Sequence, residues 1–410
     1  MVSQYFWPEN FRVNDLCTEL LKLGHEVTVL TGIPNYPEGV VYPEFIKNRT
    51  GFSEFQGARV VRVPMVSRGK NNKLKLLLNY SSYFISASTI GLFKLRGEKF
   101  DFIFVFGVSP VSVAIPAIFK KWIDKSYVAF WVLDLWPDTL IDLGVLKRNS
   151  LLEKVVSKFV KFIYNQVDVV LGQSPSFVKK INARLTNGKQ SSLMYNWAED
   201  IFSKNSMPNS LLEKNDSSLK ILFAGNIGES QDFPSVIKAM TLLKDTPAHW
   251  FILGGGRELD SVKDAVMVNA LMSNVTFIDA VPLEHVPSFY KAADVLFVSL
   301  KSGGAFSNTI PGKIQSYMAA GKPILGMLDG DGNELIKESG SGLSCKSGDY
   351  EALALLVRNL LQMSSADLNK LGQNGKQYYS RCFRRDVIVN QLLDNYIKDT
   401  KSHAGEDIES

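Results

Sequence analysis

The sequence predicts an α/β protein made of two doubly wound, Rossmann-like domains. Three observations support this fold class: short apolar runs alternate with helical patterns, the runs are apolar throughout, and 410 residues are too many for one hydrophobic core. Strands that are apolar throughout are typical of parallel sheets that are covered on both faces. The ten runs that read as strands are residues 27–30, 60–63, 102–106, 128–133, 167–172, 219–224, 250–253, 275–278, 295–298 and 323–327.

The composition is that of an ordinary globular protein, with 45% hydrophobic and 21% charged residues. The three cysteines, Cys17, Cys345 and Cys382, are far apart and have no CxxC spacing. This argues for a reducing compartment and against a disulfide framework or structural zinc. No signal peptide is visible after Met1, and the abrupt opening leaves open whether the first strand begins before it.

One apolar segment, residues 100–119, is long enough to span a bilayer. Ser109, Pro110 and Pro116 interrupt it, so that it divides into a buried strand, a turn and a short helix. We therefore expect a βα unit of a parallel sheet and no transmembrane helix.

Positive charge is concentrated in the first half of the chain. Residues 1–200 carry 25 Lys and Arg against 17 Asp and Glu, a net charge of +8, and the remainder carries −3. This suits an anionic membrane surface or a phosphate-bearing acceptor. Nucleic acid would suit the charge as well, but no nucleic-acid-binding motif supports it, and we expect no such partner.

Residues 151–166 form a basic amphipathic helix in the sequence. Lys154, Lys158 and Lys161 lie on one stripe. The other face packs on the protein's own sheet or contacts a membrane, and a second cluster before residues 76–78 adds to the membrane interpretation. The apolar face comprises Leu152, Val155, Val156, Phe159 and Ile163, and the second cluster Arg68, Lys70, Lys73 and Lys75.

The most informative segment is residues 307–326, which reads as a Pro/Gly-rich turn, one helix and a buried strand. Gly321 ends the helix. Lys313 lies beside the free backbone N–H groups of the helix start. A lysine at a helix N-terminus predicts an anion site, most simply for a phosphate or diphosphate.

The same segment resembles the donor-binding signature of retaining GT-B glycosyltransferases. The resemblance implies the GT-B fold, with two domains that face each other across a cleft, here residues 1–195 on the acceptor side and 196–376 on the nucleotide-sugar side. It also implies that a last helix, residues 377–400, returns to the first domain, and that the donor is a UDP-sugar bound without metal or other cofactor. We expect the tail, residues 401–410, to be disordered.

The resemblance also implies the donor-binding residues. Asn226 and Gln231 stand where relatives carry an Arg and a Lys on the diphosphate, and Asn308 and Ser316 stand where relatives carry two glutamates, the second of which binds the ribose. Either fewer charges then hold the diphosphate, or Lys313 and Arg257 supply the charge instead. The remaining candidates for the donor site are Gly225, Gly255, Val281, Pro282, Ser307, Thr309 and Pro311.

The amino-terminal half resembles one branch of these enzymes, bacterial transferases of O-antigen and capsular polysaccharide, including those that handle N-acetyl-L-fucosamine. The branch implies a polyprenyl-diphosphate-linked saccharide as acceptor. Glu9 and Asn10 lie in the loop before the first helix and are candidates near the reacting sugar. Asp134, Trp136 and Asp138 follow a strand, which predicts an acceptor site with Asp134 as a catalytic residue. A helix N-cap beside a packed tryptophan is the alternative.

Asp329-Gly330-Asp331 matches the D-x-D motif by which another class of glycosyltransferases binds a metal ion. Its position after a strand and before a helix favours turn and helix-start chemistry instead. We therefore expect no metal site. The function predicted is a cytoplasmic, peripheral-membrane glycosyltransferase. Two rivals are a UDP-sugar epimerase of the same fold and a non-catalytic binding subunit, which the missing glutamates would permit.

Overall fold

The computed structural model describes residues 1–70, 72–204, 206–213 and 218–397. The chain divides into two compact units, one of residues 1–194 together with the segment from Ile388, and one of residues 195–387. The division after Met194 lies one residue before the boundary expected from the sequence. Each unit is an α/β domain built on a parallel sheet.

The sheet of the first unit has two parts, with strand orders β2-β3-β1 and β4-β5-β6-β7. Val2 bridges Leu30 on one side and Val105 on the other, both in parallel, and so joins the two parts. β2 is antiparallel to β3, and the other pairs are parallel. The strands are β1 (Thr28–Gly32), β2 (Glu54–Phe55), β3 (Ala58–Val63), β4 (Phe102–Gly107), β5 (Tyr127–Val132), β6 (Val169–Gly172) and β7 (Ser192–Leu193).

Helices cover this sheet and contribute to its core. Ile163 and Tyr164 of α7 are fully buried in the same cluster as Val128 and Val170. The helices are α1 (Arg12–Lys22), α2 (Pro43–Lys47), α3 (Lys73–Ser86), α4 (Leu92–Lys94), α5 (Ile115–Asp124), α6 (Asp138–Asp142), α7 (Leu151–Gln166) and α8 (Pro175–Asn182), with 3-10 turns at Thr50–Phe52 and Val111–Ala114 and a π-turn at Ala87–Gly91.

The second unit has a six-stranded sheet in which all pairs are parallel, in the order β10-β9-β8-β11-β12-β13. The order reverses between β8 and β11, and open α/β sheets bind ligands outside the carboxyl ends of the strands at such a point. The strands are β8 (Leu219–Ala224), β9 (Ala248–Leu253), β10 (Val275–Ile278), β11 (Val295–Ser299), β12 (Ile324–Met327) and β13 (Gly342–Cys345).

The predicted signature helix is α14, and it ends at Gly321 in the left-handed region with φ 68°, as the sequence predicts. Ile314, Tyr317 and Met318 are fully buried and hold the helix on the sheet. The helices of this unit are α9 (Ser210–Glu213), α10 (Phe233–Leu242), α11 (Leu259–Val268), α12 (Val286–Ala292), α13 (Gly304–Ser307), α14 (Gly312–Ala320), α15 (Asp331–Glu338), α16 (Tyr350–Gln362) and α17 (Ser365–Cys382), and α18 (Arg385–Tyr396) follows.

The predicted last helix, residues 377–400, is wrong in its bounds. α17 ends at Cys382 and α18 begins at Arg385, because Phe383 turns inward, is fully buried and packs on Tyr195 with ring centroids 4.8 Å apart. The chain joins the first unit from Ile388. The expectation for the tail, residues 401–410, lies outside the described residues.

All ten predicted strands are present, with ends that differ by at most two residues. Residues 100–119 form β4, a 3-10 turn and the start of α5, as expected. In the part of the chain that the structure describes, no helix is long and apolar enough to cross a membrane.

Candidate functional site

A cavity of about 510 Å³ lies at the carboxyl ends of β8 and β9 in the second unit. Two glycines let these strand ends lie close together. Gly254 has φ 141°, and a Cβ there would lie 2.1 Å from the carbonyl oxygen of Gly225. Gly225 has φ 140°, and a Cβ there would lie 2.8 Å from Cε of Lys313. The glycines therefore give a ligand access to the backbone and leave space for the lysine.

Lys313 contributes the cation of this cavity. Its ammonium donates a hydrogen bond to Oε1 of Gln231 at 3.1 Å and lies 3.7 Å from the ring centroid of Phe223. The described residues provide no carboxylate partner for it, and burial lowers the pKa of Lys313 to about 7. Pro311, which precedes α14, provides no side-chain cap for the helix start. A partly desolvated ammonium beside uncapped N–H groups favours an anionic ligand.

Six of the predicted donor residues line this cavity, and Gln231 reaches it through Lys313. Arg257 is exposed and lies outside the lining, so that Lys313, and not Arg257, supplies the positive charge. Pro282, Ser307, Asn308, Thr309 and Pro311 also lie outside the lining. The six that line it are Gly225, Asn226, Gly255, Val281, Lys313 and Ser316.

Ser316 uses its hydroxyl within its own helix, since Oγ donates to the carbonyl of Gly312 at 3.1 Å. Sequence reasoning missed Glu199, which also lines the cavity and brings a carboxylate to it. Phe202 and Tyr290 are two further missed residues, stacked on each other with centroids 5.2 Å apart. Glu199 directly precedes the 3-10 turn Asp200–Ser203 near the unit boundary, and Phe202 lies within that turn, in a segment where the sequence carries no motif.

A second polar cluster lies at the carboxyl ends of β4 and β5 in the first unit. Ser109 donates from Oγ to Oδ2 of Asp134 at 2.7 Å, and Nε1 of Trp136 donates to Ser109 Oγ at 3.0 Å and to the same Oδ2 at 3.3 Å. No described residue forms a hydrogen bond with Oδ1. The carboxylate is thus held through one oxygen, and the other remains available to a ligand.

Trp136 is half-buried and packs against the core of the first unit, as the alternative of a packed tryptophan requires. Its indole N–H orients Asp134. A packed Trp136 is therefore compatible with the predicted acceptor role of this segment. Ser109 was missed. The parallel pairing of β4 with β5 could have indicated it, because Ser109 follows β4 as Asp134 follows β5.

Tyr80 and Arg68 lie near the same cluster and were not predicted as site residues. Burial raises the pKa of Tyr80; the charge of Arg68 and the hydroxyl of Ser109 lower it, and the charge of Asp134 raises it further. The guanidinium of Arg68 lies 5.0 Å from the ring centroid of Tyr36 and has no acidic partner in the described chain. Aromatic rings, a carboxylate and a cation thus occupy one edge of this sheet.

Glu9, a candidate near the reacting sugar in the sequence, is enclosed within the first unit. Its side chain is 1% exposed and accepts backbone N–H bonds from Phe6 at 3.1 Å, Asn35 at 2.8 Å and Tyr36 at 2.7 Å. Burial raises the pKa of Glu9 to about 7, although these three bonds act to lower it. Glu9 therefore ties two loops of the first unit together. Its neighbour Asn10 is exposed and stays a candidate.

Asp138, predicted to bind the acceptor, is likewise engaged inside the first unit. Asp138 begins α6 and forms ion pairs with Lys180 of α8 at 3.2 Å and with Arg184, which follows that helix, at 2.6 Å. Burial acts to raise the pKa of Asp138, but the charges of Arg184 and Lys180 outweigh it and lower the pKa. Its carboxylate therefore stabilises the packing of two helices.

The D-x-D segment has the turn chemistry that the sequence predicts. Asp329 accepts a hydrogen bond from the backbone N–H of Ser347 at 3.2 Å, and Asp331 is the first residue of α15. No group of three or more His, Cys, Asp or Glu side chains that could hold a metal ion occurs within residues 1–397, the masked positions aside.

Comparison with known proteins bears on both units. Residues 10–190 match the glycosyl transferase 4-like domain, and residues 209–378 match the glycosyl transferases group 1. WbjE of Pseudomonas aeruginosa, named as a glycosyltransferase, is 28% identical over 269 residues, which cover 61% of this chain and 66% of that protein, just under two thirds of its length.

Two further proteins extend the comparison. WcaI of Escherichia coli K12, named as a colanic acid biosynthesis glycosyl transferase, is 26% identical over 312 residues, which cover 73% of this chain and 74% of that protein. Anabaena HepE, solved in complex with UDP, has a TM-score of 0.65 at 13% identity over 97% of this chain and 98% of that chain, which shows the fold alone. These findings confirm the predicted fold class. The chain therefore has the GT-B fold, and its two parts are similar to the glycosyl transferase 4-like domain and to the glycosyl transferases group 1.

Proposed function

We propose that this enzyme transfers a hexose-type sugar from a UDP-sugar to a lipid-linked saccharide during assembly of a bacterial surface polysaccharide. The observation that carries the proposal is the Lys313 ammonium, which lies at the cavity of the second unit and has no carboxylate partner among the described residues. Anabaena HepE, which shares the fold, was solved with UDP and with UDP-glucose, and WcaI is named for colanic acid biosynthesis. From the sequence resemblance we propose N-acetyl-L-fucosamine, or a related N-acetylated hexose, as the transferred sugar.

The donor half of the reaction needs stabilisation of a departing diphosphate. When the bond between the anomeric carbon and the diphosphate oxygen breaks, negative charge grows on that oxygen. The Lys313 ammonium and the uncapped N–H groups at the start of α14 are of the right sign and type to balance it. Retention at the anomeric carbon is implied by the resemblance and is part of the proposal.

The acceptor half needs a group that binds the attacking hydroxyl and takes its proton. Asp134 has one carboxylate oxygen held by Ser109 and Trp136 and the other unbonded, which suits a general base or a hydroxyl acceptor. We propose that Asp134 has this role, that Ser109 and Trp136 orient it, and that Asn10 contributes to the same site.

We also propose that no metal cofactor takes part, because Lys313 supplies positive charge where the diphosphate would lie. Activity should then survive EDTA. Complete loss with EDTA and recovery with Mn²⁺ or Mg²⁺ would contradict this part of the proposal and would return attention to Asp329 and Asp331.

The decisive experiment incubates the enzyme with a panel of UDP-sugars, with and without a prenyl-diphosphate-linked N-acetylglucosamine. Transfer requires the acceptor and yields a glycosylated lipid. An epimerase would convert the UDP-sugar without acceptor, and a binding subunit would bind UDP and do neither. The Lys313→Ala variant serves as the inactive control for the donor half.

We propose that the enzyme is cytoplasmic and contacts the inner face of the bacterial cytoplasmic membrane. The sequence left open whether the apolar face of α7 packs on the sheet. In fact Leu152 is 58% exposed and Val155 55% exposed, beside the exposed lysines 154, 158 and 161, while Ile163 alone of the predicted face is fully buried. Basic and apolar side chains exposed together support attachment to anionic lipid.

The second predicted membrane cluster supports this only in part. Leu74 and Leu77 of α3 are 66% and 60% exposed, but Lys70 is paired with Glu38 at 2.5 Å. The side chain of Lys73 lies outside what the structure describes. Vesicle co-sedimentation should show binding to anionic and not to neutral lipid, and the binding should weaken with salt. Equal binding to both lipids, or to neither, would contradict an electrostatic contact.

A further inference from the structure

The first unit contains a groove of about 960 Å³, larger than the donor cavity. It follows the outer edge of β3, because β2 pairs with Ala58 and Arg59 and covers no more of that strand. α2 and the 3-10 turn Thr50–Phe52 form one wall, and Lys94 of α4 lies on the other. Its apolar lining outside the strand consists of Ile33, Val41, Phe45, Ile46, Phe52 and Pro64.

The charged side chains that line this groove are all basic: of its described lining residues, none is Asp or Glu. Arg62 donates to the carbonyls of Gly32 at 2.9 Å and Phe52 at 3.1 Å and is committed to holding the structure. Arg59 is paired with Glu98 at 2.7 Å.

Arg49 and Lys94 are the cations that a ligand would meet. Arg49 is exposed, and no described residue forms an ion pair or hydrogen bond with its guanidinium. Lys94 is exposed and donates to the carbonyl of Arg62 at 3.0 Å, and the described part of the chain provides no carboxylate partner for it. The groove thus combines unneutralised positive charge with the apolar lining described above.

The apolar lining and the basic side chains together favour one class of ligand. A sugar or a nucleotide base would need hydrogen-bonding side chains, and the groove is lined mainly by aliphatic and aromatic ones. A neutral peptide strand added to β3 would have no use for the cations. A hydrocarbon chain that ends in phosphate satisfies both the apolar lining and the basic rim.

The groove also ends at a suitable position. Ile33 follows β1 and Pro64 follows β3, so the groove opens at the carboxyl edge of the sheet that carries Asp134 and Trp136. We propose that this groove binds the hydrocarbon chain of a phosphate-linked lipid, and that this lipid is the carrier of the saccharide acceptor. The identification of this lipid as the acceptor carrier rests on the proposed function.

The test uses decyl phosphate below its micellar concentration, with decanol and inorganic phosphate as comparison probes, in calorimetric titrations of the full chain. Ile46→Asp places a charge on a groove side chain that is 59% exposed, and Arg49→Glu reverses a rim charge. Leu143→Asp, at a residue that is 70% exposed, and Arg148→Glu are matched controls outside the groove. UDP affinity, measured in parallel, verifies that each variant is folded.

We expect saturable binding of decyl phosphate, weakened at least tenfold by Ile46→Asp and about fivefold by Arg49→Glu, with both controls unchanged. Decanol and inorganic phosphate should each bind at least tenfold more weakly. No saturable binding, wild-type affinity in both groove variants, or equal affinity for decanol would overturn the proposal.

A transfer assay then tests the carrier. Ile46→Asp should raise the KM for prenyl-diphosphate-linked acceptor at least fivefold, with little change in kcat. Binding of decyl phosphate without this shift would overturn the assignment of the lipid as acceptor carrier. If no acceptor supports transfer by the wild type, the proposed function fails, while the titration still decides whether the groove binds lipid.

Discussion

The charged side chains at the carboxyl edges of the two sheets differ in how far they are bonded inside their own unit. In the second unit Lys313 lies at an open cavity, with an amide oxygen and an aromatic ring as neighbours. In the first unit Glu9 is enclosed by three backbone N–H groups and Asp138 by two cations, and Asp134 keeps one oxygen unbonded. A charged residue at the carboxyl edge of a sheet is thus a site candidate only when the bonds of its charged group are not already satisfied inside its own unit.

The largest expected effect tests whether Glu9 stabilises the first unit. Glu9→Ala leaves three buried N–H donors without an acceptor, at about 1–3 kcal/mol each. We expect the first unit's free energy of unfolding to fall by about 3 kcal/mol or more in urea titrations. Glu9→Gln keeps one acceptor oxygen and should lose less. Wild-type stability with abolished transfer would restore the catalytic interpretation.

Asp134→Asn tests the role of Asp134, whose carboxylate at the carboxyl edge of the first unit's sheet can still bind a ligand. We expect kcat for transfer to fall about 100-fold, since loss of a general base typically costs that much or more. UDP affinity should not change. Ser109→Ala should reduce kcat about tenfold and leave the melting temperature nearly unchanged, because it removes the hydroxyl that orients Asp134. Loss of UDP affinity in either variant would contradict the acceptor-side assignment.

Lys313→Ala tests the opposite edge. A charge-assisted contact with phosphate is worth about 1.5–3 kcal/mol, so calorimetry should show a ten- to hundredfold loss of UDP affinity. Lys244→Ala, at an exposed lysine of the same unit, is the control and should bind UDP normally. Unchanged affinity in a folded Lys313→Ala protein would remove this residue from the donor site.

The lowered pKa of Lys313 predicts a pH dependence. In the free protein the amine of Lys313 is half-protonated near pH 7. Because a diphosphate binds the protonated form, the affinity for UDP-sugar should fall as pH rises. We expect about a tenfold decrease between pH 6 and pH 8. UDP-glucose is the suitable probe because its diphosphate does not titrate in this range. The same profile in Lys313→Ala would assign the effect to another group.

The smallest effect concerns the ribose. Glu199 lines the cavity that Ser316 leaves without a carboxylate, and we expect it to bind the ribose hydroxyls. Glu199→Gln should lower the affinity for UDP about three- to tenfold. It should also reduce the ratio of the affinities for UDP and for 2′-deoxy-UDP. The exposed Glu284→Gln is the matched control. A preference that is unchanged in the Glu199 variant would rule out this contact.

Sequence reasoning performed differently at the two edges for a physical reason. Gly225, Gly255 and Lys313 belong to short strand-turn or helix-start motifs, whose geometry is fixed by neighbours in the chain. Glu9 meets Asn35 and Tyr36, 26 and 27 residues away, and Asp138 meets Lys180 and Arg184, 42 and 46 residues away. Such partners come from packing and cannot be predicted from spacing.

The sequence by itself determined the fold class, the ten main strands, the helix that ends at Gly321 and the lysine at the donor cavity, because apolar periodicity and glycine conformation are local properties. Tertiary structure decided which charges remain available. It brought Ser109 to Asp134 across two paired strands and Glu199 to the cavity of Ser316, and it left the edge of β3 open beside Arg49. Those juxtapositions depend on how distant segments pack, and packing decides whether a polar group is satisfied within the protein or remains available to a ligand.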